Sequence, residues 1–190
     1  MRWAAGILGK AGKKITQRDM ELLLTKTGTD MGNLRMEMEK LISYTEGRNV
    51  VTAEDIEEIC TTQTTNRIFD MVRAVTEKNQ KRALELYYDL LTLKEPPMRI
   101  LFLLAKQYRQ LLLAKQFAAA GLAQTEMASK LGVPGFVVRN ITTCARAYTI
   151  SELEQAVKDF VDAEESVKTG RLEDKLSVEL LIIKYSSKVK

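Results

Sequence analysis

Apolar residues recur along this chain at spacings of three and four, the period of a single helix face. Polar residues mark helix starts in the first third of the sequence. Thr16 and Thr52 each precede an aspartate by three positions, as in a capping box, and Asp30 can cap the helix between them. Gly28 is a typical helix stop. The pattern predicts three short helices that pack together, because helices this short are marginal alone.

The polar segment Thr61–Asn66 is predicted to link this bundle to a second one. Further on, Pro96 and Pro97 favour the start of a long helix over residues 97–119, since proline is tolerated in a first helical turn. Its early stretch, Ile100–Ala105, is apolar on every side. This predicts that the long helix lies at the centre of the second bundle.

Two more helices are predicted towards the C-terminus. Ser151 and Glu154 have the spacing of a capping box for the first of them, and Gly170 ends it. The second holds the apolar residues from Leu172 to Ile183. Because no segment alternates apolar and polar residues as strands do, we predict an all-α fold with two bundles, residues 1–64 and 65–190.

Two residue counts exclude much catalytic chemistry. The 190 residues include no histidine, which excludes Ser-His-Asp and Cys-His sites and almost every histidine-containing metal site. The two cysteines, Cys60 and Cys144, stand in apolar helical contexts and are predicted to be core residues. Acidic residues cluster only as solvated helix faces. We therefore expect no catalytic residue, no metal site and no cofactor.

Membrane insertion is also not expected. The longest unbroken apolar run, Ile100–Ala105, is far shorter than the roughly 20 residues that a spanning helix needs. The first residues have no apolar stretch long enough for a signal peptide. The sequence therefore predicts a cytoplasmic protein.

Two short motifs resemble those of nucleotide-binding proteins. Gly6–Lys14 resembles a phosphate-binding loop, but its glycines are one position too far apart and a lysine stands where a magnesium-binding hydroxyl belongs. We interpret it as a basic, flexible N-terminal segment. Gly32-Asn33-Leu34-Arg35 resembles the sensor-2 motif of AAA+ ATPases, whose arginine reaches a nucleotide γ-phosphate. The alternative is that Arg35 is a solvated helix arginine.

Residues 124–140 are similar to a helix-turn-helix. Ala128 would allow a close helix crossing, Gly132 would make the turn, and the second helix would present Arg139 and Asn140 to a major groove. The apolar Phe136 stands where base-reading residues normally lie. DNA reading and a simple corner of the bundle both remain open.

Positive charge is concentrated in the second bundle. Residues 1–64 hold 9 basic and 10 acidic residues, whereas residues 65–190 hold 20 and 15, a net charge of +5. Lys168 and Arg171 flank the turn at Gly170, and two cations on a tight corner suit phosphate contacts. The alternative is a solvated helix end whose lysine is favoured by the helix dipole.

Several segments together resemble the DNA polymerase III delta subunit of bacterial clamp loaders. Their order and spacing, rather than any one motif, carry the resemblance, which extends over about 175 residues. The segments are Leu22–Asp30, Leu34–Leu41, Val51–Ile56, Asn66–Asp70, Ile100–Leu112, Leu131–Phe136 and Asp162–Gly170.

The resemblance implies a non-catalytic subunit of the DNA polymerase III holoenzyme, a family classed with the DNA-directed DNA polymerases. Residues 1–64 would form an AAA+ lid-like domain and residues 65–190 a collar, which joins the tau/gamma and delta-prime subunits in a ring around primer-template DNA. An N-terminal domain that holds the sliding clamp in this family is expected to be missing. Arg35 would be a sensor-2 relic without a nucleotide, and the corner with Lys168 and Arg171 would face the DNA channel.

Tyr108 and Arg109, on the predicted central helix, are the candidates for contacts with neighbouring collars. Such a contact should bury roughly 1,600 Å² or less, so the isolated chain is expected to be mainly monomeric. The alternative is a helix-turn-helix DNA-binding regulator with a helical dimerisation domain. A footprint on a palindromic site would favour that alternative.

Overall fold

The computed structural model describes residues 2–28, 30–62 and 64–187. The predicted all-α fold is confirmed: the described residues form eleven helices, and their only pairing of extended backbone is an isolated bridge between Lys14 and Val50. The chain folds into two compact units, Met1–Asn66 and Arg67–Lys190. The helices are α1 (Arg2–Lys10), α2 (Gln17–Thr27), α3 (Met31–Tyr44), α4 (Ala53–Ile59), α5 (Thr64–Thr76), α6 (Gln80–Thr92), α7 (Pro97–Ala119), α8 (Gln124–Leu131), α9 (Gly135–Ala145), α10 (Ile150–Lys168) and α11 (Asp174–Ser186).

Side-chain caps start the three predicted helices of the N-terminal unit. Thr16 and Thr52 accept hydrogen bonds from backbone N–H groups three residues on, and Asp30 caps α3 in the same way. At Thr52 the box is reciprocal, because the Asp55 carboxylate accepts from the Thr52 N–H at 2.9 Å. Asp55 also accepts from Arg48 at 2.8 Å. These caps confirm the helix starts predicted from the sequence.

The N-terminal unit holds one helix more than the sequence indicated. The prediction of a flexible segment over Gly6–Lys14 is wrong, because α1 runs through its first half and contacts α3. Ala4 and Leu8, four residues apart, are both buried on its inner face. Beyond α1, the Lys13 ammonium donates to the backbone carbonyls of Thr45 and Arg48, both at 2.6 Å.

The predicted linker Thr61–Asn66 is only partly irregular. Gln63 lies outside the described residues, and α5 already begins at Thr64. Within the N-terminal unit, the Asn66 side-chain amide donates to the backbone carbonyl of Lys26 at 2.9 Å. The threonines that suggested a linker therefore lead directly into a helix.

The centre of the C-terminal unit is α7, which begins at Pro97 and ends at Ala119 as predicted. It contacts α8, α9, α10 and α11. Ile100, Leu101 and Leu104 are buried, but Phe102 keeps 62% of its surface exposed. The predicted central position of this helix is confirmed, but the face of α7 that carries Phe102 is exposed.

Helix α10 begins two residues earlier than Ser151 predicted. Thr149 is the N-cap: its hydroxyl accepts from the Glu152 N–H at 3.1 Å, and the Glu152 carboxylate accepts from the Thr149 N–H at 2.6 Å. This register places the buried residues Tyr148 and Leu153 at the two positions of a hydrophobic staple. A cap at Ser151 would have put the polar Gln155 in place of Leu153.

Candidate functional site

The corner between α10 and α11 carries the predicted DNA contacts. Gly170 makes the turn with φ +72°, which only glycine adopts without strain. The Lys168 ammonium pairs with Glu164 at 2.5 Å, and the Arg171 guanidinium pairs with Glu165 at 2.9 Å. Exposed pairs of this kind contribute only about 0.2–1 kcal/mol, so an incoming phosphate can displace either glutamate at small cost.

Tyr108 lies inside the C-terminal unit rather than at its surface. Its side chain is 1% exposed, and its ring centroid lies 5.0 to 5.9 Å from those of Phe160, Tyr185 and Tyr148. Burial raises the pKa of Tyr108 and raises that of Tyr148 to about 12. The prediction that Tyr108 contacts a neighbouring collar is wrong, because this side chain is buried and makes its contacts inside the core.

A polar network closes the edge of this aromatic cluster. The Asp159 carboxylate accepts from Lys184 at 2.6 Å, from Gln155 at 2.9 Å and from the Tyr185 hydroxyl. Burial alone would raise the pKa of Asp159, but the hydrogen bonds from Lys184, Tyr185 and Gln155 outweigh it and lower this pKa. Sequence reasoning missed this network because its members lie 25 and 26 residues apart on two helices.

Two lysines of the C-terminal unit act as internal caps. Lys115 donates to the backbone carbonyls of Ala145, at 3.0 Å, and Tyr148, where α9 ends. Lys78 donates to the Tyr185 carbonyl at 2.9 Å and lies 5.6 Å from the centroid of the Tyr148 ring. Cations stabilise helix C-terminal carbonyls in this way, so these two charges serve the fold.

Arg109 is exposed on α7, next to the buried Tyr108. It makes no ion pair with any residue that the structure describes. Its part in subunit contacts stays a prediction, and its side chain is free to meet a partner.

Arg35 lies on the exposed side of α3. Its guanidinium pairs with Glu39 at 2.9 Å, and its side chain is 69% exposed. An open groove of about 910 Å³ runs beside this face, lined by Met36, Tyr44 and Glu58 among others, but not by Arg35. The observed contacts are those of a solvated helix arginine.

The helix-turn-helix pattern folds as the pair α8 and α9, joined at Gly132 with φ +65° in the left-handed region. Phe136 and Val138, in the first turn of α9, are buried against the unit. The first turn of α9, which would have to enter a major groove, therefore packs against the rest of the unit. Arg139 and Asn140, further along the same helix, are exposed.

Both cysteines are buried, as predicted. Burial raises the pKa of the Cys60 thiol to about 12 and also raises that of Cys144, so both thiols stay protonated near neutral pH. Among the described residues, no group of acidic and cysteine side chains is arranged to hold a metal ion. No helix within that same part of the chain is long and apolar enough to cross a membrane.

Two helical units, the second packed around the long helix α7, define a protein of the all-α class. Residues 65–185 match the family described as DNA polymerase III delta subunit, C-terminal domain. The chain belongs to this family, and the resemblance inferred from the sequence is confirmed.

Relatives and a solved structure agree with this assignment. The chain is 26% identical over 171 residues to DNA polymerase III subunit delta of Bacillus subtilis, covering 90% of this chain and 49% of that protein. It is 23% identical over 123 residues to a probable DNA polymerase III subunit delta of Aquifex aeolicus, covering 64% and 35%. The solved Bacillus subtilis DNA clamp loader delta protein matches with a TM-score of 0.86 at 24% identity, over 98% of this chain and 55% of that one.

The TM-score shows that this chain and the solved Bacillus subtilis delta protein share a fold. The chain spans about half the length of the Bacillus subtilis relatives. None of these matches supports the alternative of a helix-turn-helix regulator.

Proposed function

We propose that this chain is the lid and collar part of a clamp-loader delta subunit, residues 1–64 and 65–190, and that it serves as a non-catalytic scaffold. Its partners would be the tau/gamma and delta-prime subunits, in a ring that places the sliding clamp on primer-template DNA. The observation that carries the proposal is the match of residues 65–185 to the delta-subunit family.

An exposed apolar row on α11 supports a role in assembly. Leu176 and Leu180, one turn apart, are 42% and 48% exposed, and Ile183 continues their row at half burial. The opposite face of α11 is buried in the unit through Val178 and Ile182. A helix that is apolar on both faces buries its second face when a partner packs against it.

The experiment is a pull-down of purified tau/gamma and delta-prime by the tagged chain. Leu180→Asp should reduce capture at least tenfold without lowering the thermal stability of the isolated chain. The matched control is Val161→Asp on α10, which is 58% exposed and should leave capture unchanged. Failure of the wild-type chain to capture either subunit would refute the scaffold function.

The corner at Gly170 is proposed as a DNA contact of the assembled ring, through Lys168 and Arg171. Its support is the tight turn and the weak, displaceable pairing of each cation with a glutamate. Arg109 stays a prediction for a contact between subunits.

A further inference from the structure

The longest helix carries positive charge only. The 23 residues of α7 include four basic residues and no aspartate or glutamate. One of the four, Lys115, is turned inward onto backbone carbonyls. The other three, Arg99, Lys106 and Arg109, are exposed, and Phe102 stands between them on the same uncovered face.

The three exposed cations and Phe102, called here the α7 stripe, form a straight row. Arg99, Phe102, Lys106 and Arg109 follow one another at spacings of three, four and three, which keeps them on one side of a helix. The row is about 15 Å long, the length of a few nucleotides. Phe102 is 62% exposed, more than any other large apolar residue in the described part of the C-terminal unit.

Two of the cations lack a partner among the residues that the structure describes. Arg99 pairs with Glu95 at 2.9 Å, but Lys106 and Arg109 form neither a hydrogen bond nor an ion pair within residues 2–28, 30–62 and 64–187. Lys168 and Arg171, by contrast, each hold a glutamate. The α7 stripe therefore offers charge that needs no displacement before an anion binds.

We propose that the α7 stripe binds single-stranded nucleic acid without sequence preference, with phosphates on Lys106 and Arg109 and a base stacked on Phe102. Cations that follow a backbone beside an aromatic ring are the recurring elements of single-strand binding. An acidic protein segment would also suit the cations, but an apolar anchor of such a segment needs a pocket, and a ring this exposed offers a face to stack on. The proposal concerns the isolated chain and does not rest on ring assembly.

The test is fluorescence anisotropy of a labelled oligo-dT strand titrated with the full chain at about 50 mM salt, then at increasing salt. Phe102→Ala should weaken binding about fivefold or more, and Phe102→Trp should keep it. Lys106→Ala with Arg109→Ala should weaken binding and make the slope of log K against log salt shallower by about 1.4. The matched control, Lys81→Ala with Lys158→Ala, removes the same charge from exposed positions on α6 and α10.

Three results would overturn the proposal. The control pair could weaken binding as much as the α7 pair, Phe102→Ala could have no effect, or polyglutamate could compete as well as an oligonucleotide of equal charge. The last result would assign the stripe to an acidic protein partner. Loss of subunit capture but not of oligo-dT binding in Arg109→Ala would place that arginine at a subunit contact instead. Failure of the subunits to assemble into a ring does not affect this test, because the test uses the isolated chain.

Discussion

The hydroxyl groups of Tyr108 and Tyr148 lie 3.1 Å apart in the interior of the C-terminal unit, and either one can donate their hydrogen bond. This bond ties the central helix α7 to the connection between α9 and α10. Both side chains are at most 5% exposed, so neither hydroxyl has water as a ready substitute partner.

Removing both hydroxyls should therefore cost less than the sum of the costs of removing each one alone. Tyr108→Phe or Tyr148→Phe should each lower the free energy of unfolding by about 1–3 kcal/mol, since the remaining hydroxyl is buried without a partner. The double Phe variant should be closer to wild type than the sum of the two changes. Urea denaturation of all four proteins measures this, and additive losses would contradict a direct bond.

The cap of α10 offers a matched pair of substitutions. Thr149→Ala should lower the free energy of unfolding by about 1 kcal/mol, because it removes the acceptor for the Glu152 N–H. Ser151→Ala, two residues on in the first exposed turn, should be nearly neutral. Thermal unfolding of both variants decides which residue begins the helix, and a larger loss in Ser151→Ala would restore the cap predicted from the sequence.

Local signals in the sequence were sufficient for the starts of four helices. Thr16, Asp30 and Thr52 cap helices as predicted, and Pro97 starts α7, because each signal acts within three or four residues. At α10 two hydroxyls had suitable spacing, and the choice between them depended on packing of Leu153 against the core. The staple register was the sequence signal that could have identified it.

The exposure of individual side chains was harder to predict than the positions at which helices begin. Phe102 lies in the most apolar stretch yet is exposed, and Tyr108 looked like a contact residue yet is buried. The periodic pattern gives the faces of a helix but not which neighbours cover them. The glutamate partners of Lys168 and Arg171 were likewise present in the sequence, but only the turn geometry at Gly170 brings Glu165 to Arg171.

Stability should depend on pH through Asp159. Its pKa is lowered in the folded protein, so the ionised carboxylate stabilises the fold above the unfolded pKa of about 3.9, and this contribution is lost as pH falls through the folded value. The difference in unfolding free energy between wild type and Asp159→Asn should be largest near pH 7 and shrink in acid. Asp162→Asn, an exposed aspartate of the same helix, is the control. A difference that stays constant with pH would contradict the network.

At the corner between α10 and α11, opposite substitutions should have opposite effects on DNA affinity. In a reconstituted clamp loader, Lys168→Ala with Arg171→Ala should weaken primer-template binding by about 1 kcal/mol or more, with a shallower salt dependence. Glu164→Gln with Glu165→Gln should strengthen binding, because it releases both cations from their pairs. Binding isotherms at several salt concentrations test both, and an unchanged affinity in both variants would show that the corner does not touch DNA.

The central claim is that this chain assembles with clamp-loader subunits, and light scattering coupled to size-exclusion chromatography tests it most directly. The chain alone should elute mainly as a monomer near its mass of 21.5 kDa. Mixed with purified tau/gamma and delta-prime, it should move into one larger complex that contains all three proteins. A chain that remains alone in the mixture, or that runs as a tight dimer and protects a palindromic duplex, would contradict the account.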